Sequence, residues 1–311
     1  MARQPRLHIP GGIYHVILRG NGGQDIFFAK GDRTQFPLLL QEGAERFDYR
    51  LHAFCLMTNH VHLLIQTGHK PLSKIMQNLS LRYTQYINKR KKRSGHLFQG
   101  RYKAFLVDAD AYLLELVRYI HNNPVRAGLT EDALDYAWTS HRAYLGLEEL
   151  PYLTTDWVLG QFGRQVKASR RKYAEYIAKG KNEEHREEYY RGESDNRILG
   201  DDSFVQKLLA REENEKPPSL KAIVKAVCRH YKIRESDIKT PSRARIMSEA
   251  RGVAGWLATE SAAASLTEVA ACFGRDLTTV SRVVGSIEKK VRTLPDYRES
   301  MEKIKNKLGR E

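Results

Sequence analysis

Cysteine is scarce: Cys55, Cys228 and Cys272 are the three in 311 residues, and no two stand at a paired spacing. That argues against a structural zinc ribbon and a disulfide-stapled scaffold, and suits a reducing compartment. Long apolar runs are missing as well. No stretch approaches the roughly 20 residues of a membrane-spanning helix, and the N-terminal Met1 to His8 lacks the apolar core of a signal peptide. A cytoplasmic protein without a membrane partner is expected. No His-Glu-x-x-His pattern occurs, which leaves a zinc hydrolase without its usual ligands and base. There is no internal repeat and no low-complexity segment. Negative charge is in deficit: 37 Asp and Glu stand against 52 Lys and Arg, a formal net charge of +15. Such an imbalance calls for a polyanionic partner, and nucleic acid is the first candidate.

What is present divides into two halves. The length exceeds that of a usual single domain. In the first half, strand-like and helix-like stretches alternate. Ile13 to Arg19 reads as a strand that ends at the turn cluster Gly20 to Gly23. Apolar residues recur at helical spacing from Thr34 to Phe47. Tyr49 to Ile65 contains a further strand. Pro71 opens a long helix whose stripe is Leu72, Ile75, Met76, Leu79, Tyr83 and Ile87, running into a basic tract that Gly95 should stop. A short strand follows at Tyr102 to Val107, then a helix from Asp108 to Asn122, halted by Asn123-Pro124. This alternation predicts an α+β fold, with helices on a mainly antiparallel sheet. From about Gly163 to Pro218 the chain is highly charged and predicts an exposed, mostly helical linker; beyond it the pattern is helical throughout.

The chemistry centres on His60-Val61-His62. On a strand, alternate side chains share a face, so the two imidazoles project together while Val61 and Leu63 point the other way. Two nitrogen ligands on a rigid strand make a partial metal site. A helix ending near Asn123 places Tyr119 and Asn123 on one face, four residues apart. Two imidazoles and an amide oxygen can hold a divalent cation and leave positions open for a phosphate oxygen. The Tyr119 phenol is then a candidate nucleophile. A free phenol has a pKa near ~10, and positive charge from the cation, Arg118 or Arg126 would favour the phenolate. Tyr112 is the second candidate, seven residues before Tyr119; Tyr83 belongs to an apolar stripe and is expected in the core. His15, on the first strand, either lines the same site or packs in the core, and core packing is the expectation; His96 and His121 could assist but are expected to face solvent. The run Lys89, Arg90, Lys91, Lys92 and Arg93, together with Arg101, is expected to contact a nucleic-acid backbone.

Four ordered blocks resemble the single-tyrosine HUH (His-hydrophobic-His) transposases of the branch associated with REP palindromes. They are Tyr14-His-Val-Ile-Leu-Arg-Gly20, Leu56-Met-Thr-Asn-His-Val-His-Leu63, Gly95-His-Leu-Phe-Gln-Gly-Arg-Tyr-Lys103 and Arg118-Tyr-Ile-His-Asn-Asn-Pro-Val-Arg-Ala-Gly128, followed by Trp138-Thr-Ser140. The resemblance covers about the first 150 residues. It implies a ferredoxin-like sheet with the histidines on a central strand and the tyrosine on a helix beside it. It further implies His60 and His62 as metal ligands, Asn123 as the third, Tyr119 as nucleophile, and Mg²⁺ or Mn²⁺ without a nucleotide cofactor. The implied reaction nicks and rejoins single-stranded DNA at hairpins through a 5′-phosphotyrosine.

The C-terminal part predicts a helix-turn-helix. Ser242 to Glu260 is a long helical stretch. Ser265 and Glu268 form a capping box on a shorter helix, Gly274 supplies a turn, and Asp276 caps a last helix from Leu277 to about Val291. The wording Ser242-Arg-Ala-Arg245 and Phe273-Gly-Arg-Asp-Leu-Thr-Thr-Val280 resembles the DNA-binding domain of the bacterial replication initiator DnaA. That resemblance implies Arg243 and Arg245 at a minor groove, and Arg275, Asp276, Thr278 and Thr279 at a major groove. Leu277 stands where that family carries histidine. Leucine donates no hydrogen bond to a base edge but can meet a thymine methyl, so a different duplex site is expected. The expected organisation is therefore 1–162 nicking domain, 163–218 linker, 219–294 duplex-binding domain and 295–311 basic tail, acting as a monomer or homodimer. The alternative is a sequence-specific DNA-binding regulator that does not cut.

Overall fold

Strand β1 (Ile13–Arg19) is the axis of the first half, because it is buried along nearly its whole length and pairs on both sides. In this computed structural model the described residues are 8–68, 70–181, 197–201, 203–206, 218–242, 244–261 and 263–308. They fall into two compact units, residues 1–209 and 210–311.

In the first unit the elements run β1, α1 (Lys30–Phe47), β2 (Arg50–Leu56), β3 (His60–Gln66), α2 (Leu72–Arg90), β4 (Lys103–Val107) and α3 (Ala109–His121). The sheet order is β2-β3-β1-β4 with every neighbour antiparallel, which is the ferredoxin-like arrangement. A two-residue strand, β5 (Ile198–Leu199), adds to β4 in parallel. Tyr49 to Ile65 is thus a hairpin of two strands rather than one.

The alternation of β-strand side chains sorts the apolar residues into two layers. Tyr14, Val16 and Leu18 of β1 and Val61, Leu63 and Ile65 of β3 share a core with α1 and α2, including the whole predicted α2 stripe. Ile13, Ile17, Leu64, Phe105 and Val107 face the opposite core, built from α3 and the helices that follow. Helix α2 stops at Arg90, and Lys92 adopts φ 50°, so the basic run leaves the helix before Gly95. The free edge of β2 is covered by the Trp138–Ser140 segment: Leu56 N–H donates to the Trp138 carbonyl at 2.9 Å and Ser140 N–H to the Phe54 carbonyl at 3.1 Å.

The linker expected from residue 163 is corrected in its first part. Helices α4 (Asn123–Arg126), α5 (His141–Leu145), α6 (Asp156–Gly160) and α7 (Val166–Lys179) all belong to the first unit, and Tyr173 and Ile177 of α7 are core residues. The charged stretch 182–196 lies outside the described residues. His121, expected at the surface, is wholly buried. It belongs to a polar chain through that core. Ser140 Oγ lies 2.7 Å from His121 Nε2, Tyr173 Oη 2.6 Å from His121 Nδ1, and Tyr173 Oη 3.1 Å from His141 Nδ1. Every member is satisfied with the protons running either way: Ser140 O–H to His121, His121 Nδ1–H to Tyr173 and Tyr173 O–H to His141, or each bond reversed with the Ser140 hydroxyl turned to the Phe54 carbonyl at 3.4 Å. Ser140 Oγ also accepts the Phe54 N–H of β2 at 2.9 Å, so the chain joins β2, α3, α5 and α7.

Among its described residues the second unit is all helical: α8 (Leu220–Tyr231), α9 (Glu235–Ile238), α10 (Arg245–Glu260), α11 (Leu266–Cys272), α12 (Leu277–Thr293) and α13 (Pro295–Leu308). Trp256, Val269, Phe273, Val280, Val284 and Ile287 lie in one core. The expected basic tail is instead α13, whose Met301 and Ile304 are buried in that same core.

The polar chain predicts acid sensitivity. Burial pushes the His141 imidazole from 6.5 down to about 4 and holds His121 well below its ordinary value. Depressed histidines stabilise the fold fully above about pH 6.5, and that contribution is lost as pH falls towards about 4, because the unfolded chain takes up protons first. The urea midpoint of the first unit should therefore drop between pH 7 and pH 4.5. Tyr173→Phe, which strips both imidazoles of a partner, should cost about 1–3 kcal/mol at pH 7.5 and shrink that pH dependence.

Candidate nicking site

Two short connections set the histidines. The turn before β3 is fastened to the loop after β1: Gly20 N–H donates to the Asn59 carbonyl at 2.8 Å and Ile26 N–H to the Thr58 carbonyl at 3.0 Å. Asn59 Nδ2 donates to the Gly23 carbonyl at 3.1 Å, which turns Oδ1 towards His60 Nδ1 at 2.7 Å. An amide oxygen only accepts, so His60 carries its proton on Nδ1 and its lone pair on Nε2. Burial, with the Arg19 guanidinium adding to it, pushes His60 down to about 4, so the ring is neutral at physiological pH.

His62 is wholly buried on the α3 face, paired through the backbone with Ile17 of β1. Its ring stands 5.0 Å from that of His60, at 81°. His15, expected as core packing, bonds to it: His15 Nε2 lies 2.9 Å from His62 Nδ1. Sequence alone places His15 on the first strand, where it could line the site; the pairing of β1 with β3 puts the two rings on one face of the sheet.

Tyr119 is in the last turn of α3, which begins with Asp108 accepting the Asp110 N–H. Its ring centre is 5.9 Å from His62 and 6.4 Å from His15, edge-on to both. The phenol and the imidazoles thus occupy the same side of the sheet. Arg126, foreseen as nearby charge, lies over the Tyr119 ring with its guanidinium carbon 3.9 Å from the centre. Arg118 turns away and stacks on Tyr176 at 4.3 Å. Helix α3 ends at His121, so Asn123 opens α4 rather than closing α3. Its Nδ2 donates to the Tyr119 carbonyl at 3.2 Å, and Arg126 donates to the same oxygen, satisfying a carbonyl at the helix end. That leaves Asn123 Oδ1 as the amide atom suited to a cation. Tyr112, the second candidate phenol, packs against the same core, and Tyr83 is wholly buried on the other side of the sheet. His96 is exposed as expected.

Among the described residues, no three His, Cys, Asp or Glu side chains converge as a metal site. The donor set His60, His62 and Asn123 suits a divalent cation that accepts imidazole and amide oxygen. The fixed His60 tautomer supports the fit.

The basic residues divide. Lys89, Lys92 and Arg101 are exposed. Arg90, exposed like them, also pairs with the fold: its Nη2 lies 2.6 Å from Oδ2 of the wholly buried Asp32, which also accepts the Phe28 and Ala29 N–H groups. Lys91 sits over the Phe28 ring at 4.8 Å, and Arg93 donates to the His96 carbonyl at 3.2 Å. In the second unit, Arg243 lies outside the described residues, and Arg245 is the exposed first residue of α10. Arg275 donates to the Thr240 carbonyl at 2.9 Å. Asp276 caps α12, accepting the Thr279 N–H at 2.7 Å and the Thr279 hydroxyl at 2.6 Å, so its carboxylate serves the helix itself. Thr278 is exposed, and Leu277 is 48% exposed. The Ser265–Glu268 capping box is present as predicted.

Residues 9–123 match the family model described as IS200-like transposase, a span that contains His60, His62, Tyr119 and Asn123. Residues 220–287 match the bacterial DnaA protein helix-turn-helix. The chain carries an IS200-like transposase domain and a DnaA-type helix-turn-helix. A protein of Haemophilus influenzae described as a REP-associated tyrosine transposase is 24% identical over 135 residues, covering 40% of this chain and 75% of that protein. The chromosomal replication initiator DnaA of Chlorobaculum tepidum is 30% identical over 96 residues, and that of Desulfatibacillum aliphaticivorans 33% over 86. These cover 30% and 28% of this chain, which spans about a fifth of each initiator, 20% and 19%. A solved structure of a REP-associated tyrosine transposase bound to a REP hairpin aligns with TM-score 0.42 and 13% identity, over 50% of this chain and 98% of that one. No described helix is long and apolar enough to cross a membrane.

The Arg90–Asp32 pair separates Arg90, which is tied to the fold, from the exposed Lys89. Arg90→Ala leaves a buried carboxylate without its cation and should destabilise the first unit by about 1–3 kcal/mol, discounted for the partly exposed guanidinium. Lys89→Ala should stay within about 0.5 kcal/mol. Equal losses in thermal unfolding would refute the distinction.

Proposed function

We propose that the first unit nicks and rejoins single-stranded DNA at hairpins, and that the second holds the protein on duplex DNA. The observation that carries the reading is the placement of the Tyr119 ring 5.9 Å from His62, on one face of the sheet. The Tyr119 oxygen attacks the scissile phosphorus, the bond from phosphorus to the 3′ oxygen breaks, and the leaving oxygen takes up a proton as the phenol gives one up. A 5′-phosphotyrosine and a free 3′-hydroxyl result. The phosphodiester energy is kept in the new ester, so attack by a 3′-hydroxyl rejoins a strand without a nucleotide cofactor. A Mg²⁺ or Mn²⁺ ion held by His60, His62 and Asn123 would polarise the phosphate and offset the charge that grows on it. The chain's own residues orient the nucleophile: Arg126 lies across its ring, and Asn123 and Arg126 tie down its carbonyl.

In the second unit, Asp276 and Thr279 satisfy one another, so the first turn of α12 offers Leu277 and Thr278 outward. Leu277 suits contact with a thymine methyl. Exposed Arg245, with Arg243, supplies phosphate or minor-groove contact. Tethering through duplex raises the local concentration of the nicking site near its target.

Two outcomes test the reading. Incubation of the full chain with hairpin-bearing single-stranded DNA and Mn²⁺, followed by denaturing electrophoresis, should give a covalent protein–DNA band. Tyr119→Phe should abolish it, and Tyr112→Phe should leave it within a few-fold. No band under any metal would favour the non-cutting regulator. Replacing Arg243 and Arg245 by alanine should weaken duplex binding about tenfold, lower the salt slope by about 1–2, and spare the covalent band. Loss of both activities together would count against separate roles.

A further inference from the structure

His15 is wholly buried on β1, within an apolar layer that includes Phe105, at 6.1 Å between ring centres, and the Tyr119 ring. Burying an imidazole there costs free energy unless a hydrogen bond offsets it, whereas an aliphatic or phenyl side chain fills the same space without that penalty. Its bond to His62 is direct. Across the antiparallel β1–β3 pair His15 is the diagonal neighbour of His62, being opposite Leu64 while Ile17 is opposite His62. The two rings lie nearly parallel, 15° apart with centres at 5.2 Å, and Nε2 of His15 meets Nδ1 of His62 at 2.9 Å.

A bond between two neutral imidazoles needs one N–H and one lone pair, so its direction decides what His62 presents at Nε2. If His15 donates, His62 carries its proton on Nε2 and that nitrogen cannot ligate. If His15 accepts, the proton sits on Nδ1 of His62 and the lone pair on Nε2. The neighbouring ring uses the second arrangement, since Asn59 Oδ1 accepts from Nδ1 of His60 at 2.7 Å. Metal-binding histidines commonly have an acceptor at the nitrogen opposite the metal, which fixes both tautomer and ring angle.

We infer that His15 is a positioning residue that accepts the Nδ1 proton of His62 and so holds His62 in the tautomer whose Nε2 can bind a divalent cation. The inference rests on the reading of His60 and His62 as cation ligands. His15 touches neither the cation nor the DNA; it acts through His62.

The test uses the full chain with Mn²⁺ alone, free Mn²⁺ being followed by its electron paramagnetic resonance signal. Wild type should bind one ion per chain, and His62→Ala should lose it. His15→Phe, which fills the volume but accepts nothing, should weaken binding roughly 10–100-fold. His15→Gln, whose side-chain oxygen can accept, should return to within a few-fold of wild type. Wild-type affinity in His15→Phe, alongside loss in His62→Ala, would overturn the positioning role and leave the cation reading standing. If His62→Ala binds as wild type does, or wild type binds nothing, the cation reading fails and this inference with it. Should His15→Phe not fold, nitrogen-15 spectra of the wild-type histidines decide independently. His62 protonated on Nδ1 supports the inference, and His62 protonated on Nε2 sinks it.

Discussion

The pairing of β1 with β3 is the constraint from which the site follows. With seven residues of each strand in antiparallel register, every odd-numbered residue from Ile13 to Arg19 and every even-numbered one from His60 to Gln66 is committed to the same face. A slip of one residue would carry His60 and His62 into the layer of α1 and α2, and Val61 and Leu63 into the layer of α3. That slip is opposed by the large apolar core that Val16, Leu18, Val61 and Leu63 already share. Hydrophobic burial on one face thus fixes the polar chemistry on the other.

The face that carries the histidines needs a second support, because polar groups buried there must be paired. The chain Ser140–His121–Tyr173–His141 provides it. It ties the turn that follows Tyr119 to β2 through Phe54 and to α7 through Tyr173, and Asn122 Nδ2 adds a bond to the Ile177 carbonyl at 2.9 Å. The end of α3 is therefore held by three hydrogen bonds, one through Ser140 and two from α7. All three partners lie beyond residue 123, outside the span shared with the IS200-like model.

Local patterns in the sequence translated well where one physical term dominates. Period-two alternation located β1 and β3, the apolar stripe located α2, and Ser265 with Glu268 located the start of α11, since each depends on near neighbours. What escaped was decided by distant partners. Arg90 looks like one more cation in a basic run until the fold brings Asp32 to it from 58 residues away. His121 sits among helix residues whose spacing gives no hint of a buried polar chain, because its partners come from α5 and α7. The charged stretch after residue 163 hid Tyr173 and Ile177, two apolar positions four apart that are enough to dock α7. The same holds for Met301 and Ile304 in what composition alone presents as a basic tail.

The two histidines differ in how the fold holds them. His60 is half-buried and held by an amide from its own turn; His62 is wholly buried and held by an imidazole from another strand. Both anchors act on Nδ1, so both rings have their angle set by protein atoms rather than by a ligand. Ordering a loose side chain at the moment of binding costs conformational entropy, and a preformed pair avoids that cost. Neutral rings matter equally: an imidazolium would repel a divalent cation, and burial disfavours that form at His60. A strand pair packed by apolar burial on one face thus holds two imidazoles at set angles on the other, with the Tyr119 ring beside them.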